Sequence, residues 1–403
     1  MIEKAIVIGG GIAGPVAAMA LQRAGIEATV HEAYSGDADG VGAQLGIAPN
    51  GLHALDVLGL GDIVRSGTPV SAMAMESWTG KRLATFGEPG GEPILHVLWR
   101  GELNRGLADE AARRGIRIEY GKRFADAEDG PDGVTAHFAD GSSATADILI
   151  GADGIESAVR AVIDPASPGP RYTGLLGLAG LVPDARIGSD HGVFHMSYGR
   201  RAFFAHLGLE NGDVGWFVNL PQREAPGGRP MTMAEAQAVD PGEWLRILRE
   251  VCAADRTPAP RILARMRPED LVVIGSMHIL PAVPVWSRGR IVLVGDASAV
   301  PSNSSGQGAS QAIEGAVQLA RCLRDLPYPE AFRVYEQIRR PRVERIIKMA
   351  QRTNDDKAAG PVARVLRDLV MPFAMKAVAK PSRMAWQNEY RIDWDAPVAL
   401  ASS

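Results

Sequence analysis

The chain has 403 residues, 46% of them hydrophobic, enough to fill a sizeable core with two domains or one large domain carrying an insertion. Its 43 Lys+Arg against 47 Asp+Glu give a net charge of −4, with both signs interspersed along the chain, which argues against nucleic acid or an anionic membrane as partner. Two cysteines without paired spacing, Cys252 and Cys322, argue against a disulfide framework, a CxxC redox pair and a cysteine-built zinc site.

Met1 runs through Glu3 and Lys4 straight into an apolar segment, so no signal peptide is expected. No uncharged apolar stretch reaches the roughly 18 residues of a spanning helix, and the expected setting is the cytoplasm, without membrane insertion. Ala5–Ile8 read as a strand, Gly9–Gly14 as a turn, Pro15–Ala24 as a helix and Ala28–Glu32 as a second strand, together one βαβ unit. A further α/β stretch follows from about 100 to 162, with a helix over Leu103–Arg114 and strands at Ile116–Tyr120, Val134–Phe138 and Ala146–Ile150. From about 171 to 278 the texture becomes strands broken by Gly and Pro. Met196–Tyr198, Ala202–Leu207 and Val214–Asn219 are expected to be neighbours, with Glu210–Asp213 as a turn. Ile291–Val294 then restores the α/β pattern, before a glycine loop and a helix near Ala309–Leu323. The tail from about Val343 reads as amphipathic helix interrupted by Pro361, Pro372 and Pro381.

Three segments carry chemistry. Gly9, Gly11 and Gly14 form GxGxxG between a buried strand and a helix, a turn that also encloses Ile12 and Ala13. Gly9 permits the turn, Gly11 lets the backbone approach a pyrophosphate, and Gly14 lets helix and strand pack closely. Glu32, at the end of the second strand, can accept both ribose hydroxyls of an adenosine. That motif alone does not separate NAD from FAD. The second segment, ADILIGADGIESAVR, places Asp153-Gly154 after an apolar strand. The third, GRIVLVGDASAVPSNSSGQG, ends an apolar strand in Gly295-Asp296 and closes on Gly306-Gln307-Gly308 at a helix start. Each alone is an ordinary strand-to-helix connection; the ordered set is far more specific.

In these three motifs, over roughly residues 1–350, the chain resembles the class A FAD-dependent aromatic monooxygenases, the group of p-hydroxybenzoate hydroxylase and of tetracycline-inactivating and polyketide-tailoring enzymes. The resemblance implies an α/β fold: a Rossmann-like FAD-binding domain from 1–67, 99–168 and 279–350, an inserted mixed α+β substrate domain from 68–98 and 169–278, and a C-terminal helical segment at 351–403. It implies non-covalent FAD with the glycine turn and Glu32 on its ADP half, Asp153 and Gly154 near the pyrophosphate and a transient NADPH or NADH site, and Asp296 on the ribityl chain. Arg100, opening a helix in WRGELNRGL, matches a flavin-contacting arginine, and Gly306-Gln307-Gly308 matches the loop against the pyrimidine edge of the ring. The implied reaction inserts one oxygen atom from O2 into an aromatic or polycyclic small molecule through a flavin C4a-hydroperoxide. Ser298 and Ala299 stand where the family usually has Ala-His, and Asn303 where proline is common.

In this family the inserted sheet faces the flavin, which makes Met196, Phe203, Phe204, His206, Trp216, Phe217 and Asn219 pocket candidates, about half of them on the pocket face by alternation. No catalytic residue is assigned, the chemistry being the flavin's; His206 is a pocket candidate, and a satisfied core histidine is the favoured reading of its apolar strand. No metal-ligand spacing such as HExxH is present, and no metal is expected. Two alternatives remain open from the sequence: a flavin reductase or dehydrogenase without oxygen insertion, and an FAD-carrying protein that sequesters a reactive intermediate.

Overall fold

A computed structural model describes residues 2–36, 43–185, 187, 190–222, 229–301, 305–357 and 381–398. Its first sheet has six strands in the order Ser287–Arg288, Ile291–Leu293, Ile148–Gly151, Lys4–Ile8, Glu27–His31, Arg117–Glu119. All pair in parallel except the edge strand Ser287–Arg288. Both faces of a parallel sheet are covered, so its strands read as continuous apolar runs, and Ile148–Gly151 is wholly buried. The helix Ala13–Arg23 packs on it through Val16, Ala17, Met19 and Ala20 and lies against the helix Gly308–Asp325. Strands from three separated stretches of chain thus share one sheet, with the loops after Ile8, His31, Gly151 and Leu293 at the same edge, where α/β sheets bind ligands.

The run read as one strand, Ala146–Ile150, is two. Ser143–Ala146 pairs with Val134–Phe138 in an antiparallel three-stranded sheet, and Ile148–Gly151 joins the parallel one. Asp147 marks the switch: its carboxylate accepts the Glu3 and Lys4 N–H groups at 2.7 and 2.9 Å.

The second large sheet has seven strands, in the order Leu271–Ile279, Arg171–Val182, Val214–Pro221, Phe203–Gly208, Val193–Tyr198, Ala72–Ser77, Arg82–Gly87. The expected neighbours around residues 196, 205 and 216 are adjacent, His206 standing opposite Trp216 on one side and His195 on the other. One face is covered by the helices Met233–Ala238, Pro241–Cys252 and Ala259–Arg265, which enclose Phe204, Trp216, Val218, Trp244 and Leu248. The opposite face looks toward a three-stranded sheet of Gln44–Ile47, Leu95–Trp99 and Thr68–Val70. At Gly215 a Cβ would lie 2.3 Å from Gln44 Oε1, so the two sheets come close there.

The tail begins its helix earlier than expected, at Tyr328, and runs through Pro341 to Lys357. Pro361 and Pro372 lie outside the described residues; Pro381 opens the helix Pro381–Asn388. No helix among the described residues is long and apolar enough to cross a membrane.

Candidate functional site

The glycine turn is fixed by close approach. Gly9 has φ +108°, and a Cβ there would sit 2.5 Å from the Ala152 carbonyl oxygen; at Gly14 it would collide with the Gly9 carbonyl oxygen. At Gly11 it would meet nothing within 4 Å, which leaves the turn open at the N-terminus of the helix that starts at Ala13, with Ile12 at its cap. No acidic residue occupies that first turn, so the free amides and the positive end of the helix are available to a phosphate. Glu32 accepts the Gly10 N–H at 2.5 Å on Oε2 and the Tyr34 N–H at 2.9 Å on Oε1. Each carboxylate oxygen keeps a lone pair for a ribose hydroxyl.

At the neighbouring strand end, Asp153 is turned inward. Its oxygens accept the Ser157 hydroxyl at 2.5 Å and the Val159 N–H at 3.1 Å, and Ser157 caps the helix Ala158–Ile163. Burial pushes the Asp153 carboxyl up, against these hydrogen bonds. Gly154, at φ +80°, turns the chain past it. Arg160, buried, donates to the Ile155 carbonyl at 2.7 Å and the Ala297 carbonyl at 3.1 Å, tying this loop to the one that carries Asp296.

Gly295, at φ +61°, fits between Ala13 and Ala312, whose Cβ atoms would lie 3.1 and 3.2 Å from one on Gly295. Asp296 follows, and no described residue hydrogen-bonds its carboxylate. Burial raises its pKa, while the charge of Arg100, at the start of the helix Arg100–Arg113, pulls the other way. A carboxylate so placed suits the hydroxyls of a polyol chain.

Gly306 has φ +61°, and neither it nor Gly308 would bring a Cβ within 4 Å of anything, so the backbone there borders open space. Gln307 caps the 18-residue helix Gly308–Asp325, which has no acidic residue in its first turn. Such a helix start stabilises negative charge. Asn303 lies outside the described residues, as do Ser302 and Ser304.

Behind this loop is a polar network that the sequence motifs do not include. Gln307 Oε1 accepts from Asn50 Nδ2 at 2.9 Å and Gln311 Nε2 at 3.0 Å. Glu314, fully buried, accepts from Asn50 at 2.5 Å, from Arg342 at 2.8 and 2.9 Å, and from Arg339. Burial alone would push the Glu314 carboxyl up; the charges of Arg339 and Arg342 outweigh it and hold it below the usual glutamate range. The available signal was a lone acid on the buried stripe of a helix, which needs a partner.

The pocket candidates divide between two faces. Met196, Phe203 and Phe217 form an apolar cluster on the face toward Gln44, and alternation along Val214–Pro221 puts Asn219 with Phe217. His206, Trp216 and Phe204 lie on the helix-covered face. There His206 stacks on His195, with centroids 4.7 Å apart, and His195 Nδ1 lies 3.2 Å from Glu76 Oε1. His206, Trp216 and Phe204 thus lie on the side of the sheet against which the three helices pack, opposite Met196, Phe203 and Phe217.

The FAD binding domain family model matches residues 3–350. The FAD-dependent urate hydroxylase of Klebsiella pneumoniae subsp. pneumoniae is 32% identical over 364 residues, covering 87% of this chain and 90% of the relative. The 3-amino-4-hydroxybenzoate 2-monooxygenase of Streptomyces cremeus is 30% identical over 411 residues, covering 96% and 95%. The solved structure of Klebsiella pneumoniae HpxO with FAD and uric acid superimposes with a TM-score of 0.80 at 29% identity over 94% of this chain and 95% of that one. A glycine turn with its acid, the Gly295-Asp296 strand end and the Gly306–Gly308 helix start at one sheet edge, matched over nearly all of the chain, place it in the FAD binding domain family as a flavoprotein monooxygenase.

Proposed function

We propose that this chain transfers one oxygen atom from O2 to an aromatic or polycyclic small molecule, with FAD held non-covalently and NADPH or NADH as transient electron donor. The observation that carries this reading is the open helix start at Gly306–Gly308, on a helix that packs against the strand Gln44–Ile47, while Gln44 itself lies against Gly215 of the sheet whose face carries Met196, Phe203 and Phe217. Bound FAD would supply electron uptake from nicotinamide and activation of O2. The rest of the task falls to the chain. Amides around Gly11 and Ala13 hold the pyrophosphate, Glu32 the adenosine ribose and Asp296 the ribityl chain. Amides of Gly306–Gly308 would lie at the pyrimidine edge of the ring, where a helix start would favour negative charge. Asp153 acts mainly by shaping its loop, and Gly154 leaves room for the nicotinamide. Phe203, Phe217 and Met196 exclude water and fix the substrate plane. Residues 1–67, 99–168 and 279–350 are the FAD-holding part, and 68–98 with 169–278 the substrate wall. The cytoplasm, with its supply of reduced nicotinamides, is the proposed setting.

The names of the urate and aminohydroxybenzoate enzymes support a substrate that is a hydroxylated or nitrogen-bearing ring. The test is a panel of such rings, screened for stimulated NADPH and NADH oxidation by the flavin-loaded protein, with products analysed by mass spectrometry under 18O2. One labelled oxygen per product is the expected result. Nicotinamide oxidation that yields a reduced product without label would replace oxygen insertion by a reductase activity.

A further inference from the structure

The four strands Ala72–Ser77, Val193–Tyr198, Phe203–Gly208 and Val214–Pro221 sort their side chains by charge. Glu76, His195 and His206 are on the face opposite the one toward Gln44, where His195 touches both of the others. The face toward Gln44 carries Met75, Met196, Tyr198, Phe203 and Phe217, and no Lys, Arg, His, Asp or Glu from these strands. Within it sits one primary amide, Asn219. It is 3% exposed, and its Oδ1 has no hydrogen-bond partner among the described residues. Its cross-strand neighbours are Phe203 and Gly177, neither of which offers a side-chain donor.

A buried amide left unpaired is costly, and such groups persist where a ligand completes them. A strand face that carries no cation of its own gives a carboxylate little to offset its desolvation, whereas a neutral ring loses little there. We infer that Asn219 is a specificity-determining residue, selecting a neutral aromatic substrate with a lactam edge over carboxylate-bearing analogues of the same ring. A lactam places N–H beside C=O and so pairs with a primary amide through two hydrogen bonds, whichever way the amide is turned. This inference rests on the proposed function, because it takes the Asn219 face as the substrate wall.

The test uses FAD-loaded protein and three probes: 2-quinolone, its N-methyl derivative and quinoline-2-carboxylate. Binding is titrated through the flavin absorption spectrum, without turnover. The parent is expected to bind 2-quinolone about tenfold or more tightly than either other probe, the discrimination that follows when a buried polar group loses its partner. In Asn219→Leu the preference over the N-methyl probe should collapse toward one, with FAD content unchanged; Asn219→Ser is the second variant should Leu not fold. Equal or tighter binding of the carboxylate by the parent overturns the inference, as does a preference that survives in the variants. A flavin-loaded parent whose spectrum responds to none of the probes overturns it too. Protein that takes up no flavin fails the proposed function instead, and FAD content, measured first, separates the two failures.

Discussion

At 1% exposure and stacked on His195, the imidazole of His206 is held neutral: burial pushes its pKa down to about 3, with His195 adding and Glu76 opposing. A folded-state pKa below the free value of 6.5 means that the unfolded chain takes up the proton first as pH falls. The stability this histidine contributes is therefore full above pH 6.5 and is lost progressively from there down toward pH 3. Between pH 7 and pH 5 the loss through this one group is about 2 kcal/mol. In His206→Leu that part of the acid sensitivity should vanish, so the unfolding midpoint falls less over this interval than the parent's. Because the ring faces away from the apolar wall, FAD content and the yield of product per nicotinamide consumed should stay at parental values. A variant with the parent's full acid sensitivity assigns the effect to another group, and one that diverts electrons to hydrogen peroxide returns His206 to the pocket.

The helix Gly308–Asp325 joins two tasks, presenting the Gly306–Gly308 amides at its start and burying Glu314 two turns on. Glu314 answers two guanidiniums, and removing one side of a buried ion pair leaves the other uncompensated at a cost of about 3–5 kcal/mol. Glu314→Gln is expected to lower the midpoint of denaturant unfolding of the FAD-loaded protein by that order and to loosen Gln307, seen as weaker FAD retention. Adding Arg339→Met to Glu314→Met should recover part of the loss, since an apolar pair of similar volume needs no partner. A Gln variant as stable as the parent would mean that the network carries little net energy. The glycine turn, the acid at Glu32 and the strand ends were legible because local spacing encodes them. This network was not, because Arg339 lies 25 residues beyond Glu314 and nothing local announces the pairing. The faces of His206 and Trp216 were hidden for a related reason: alternation says which side chains share a face, while helices from residues 233–265 decide which face is covered.

Across the whole molecule, the family resemblance implied a domain drawn from separated stretches, and the parallel sheet takes its strands from three of them, yet nothing in the sequence brought residues 381–398 back to the Gly306–Gly308 helix start. Arg342 donates to the Trp386 and Gln387 carbonyls at 2.7 Å each, and Gln307 Nε2 lies 3.4 Å from Asn388 Oδ1. Farther on, Trp394 is buried between Arg23 and Arg324, whose guanidinium carbons stand 5.3 and 5.2 Å from its ring, and the Val398 N–H donates to Asp325 at 2.7 Å. The segment thus clasps both ends of the helix that starts at Gly308, at Gln307 and at Asp325, and holds the helix from Ala13 through Arg23. Stopping the chain after residue 380 removes every one of these contacts and exposes Ile392, Trp394 and Val398 positions of the core. The shortened protein should unfold at lower temperature and release FAD faster on dilution. Trp394→Ala, which deletes a buried indole and two cation–π contacts while keeping Asn388 and the Arg342 acceptors, should cost about 3–5 kcal/mol of stability. It should change the FAD release rate less than the truncation does. The comparison separates two roles for the segment. If both variants lose stability and FAD in proportion, the clasp acts only through global stability. If the truncation accelerates FAD loss beyond what its stability predicts, the contacts of Trp386, Gln387 and Asn388 with Arg342 and Gln307 are what hold the Gly306–Gly308 amides in place.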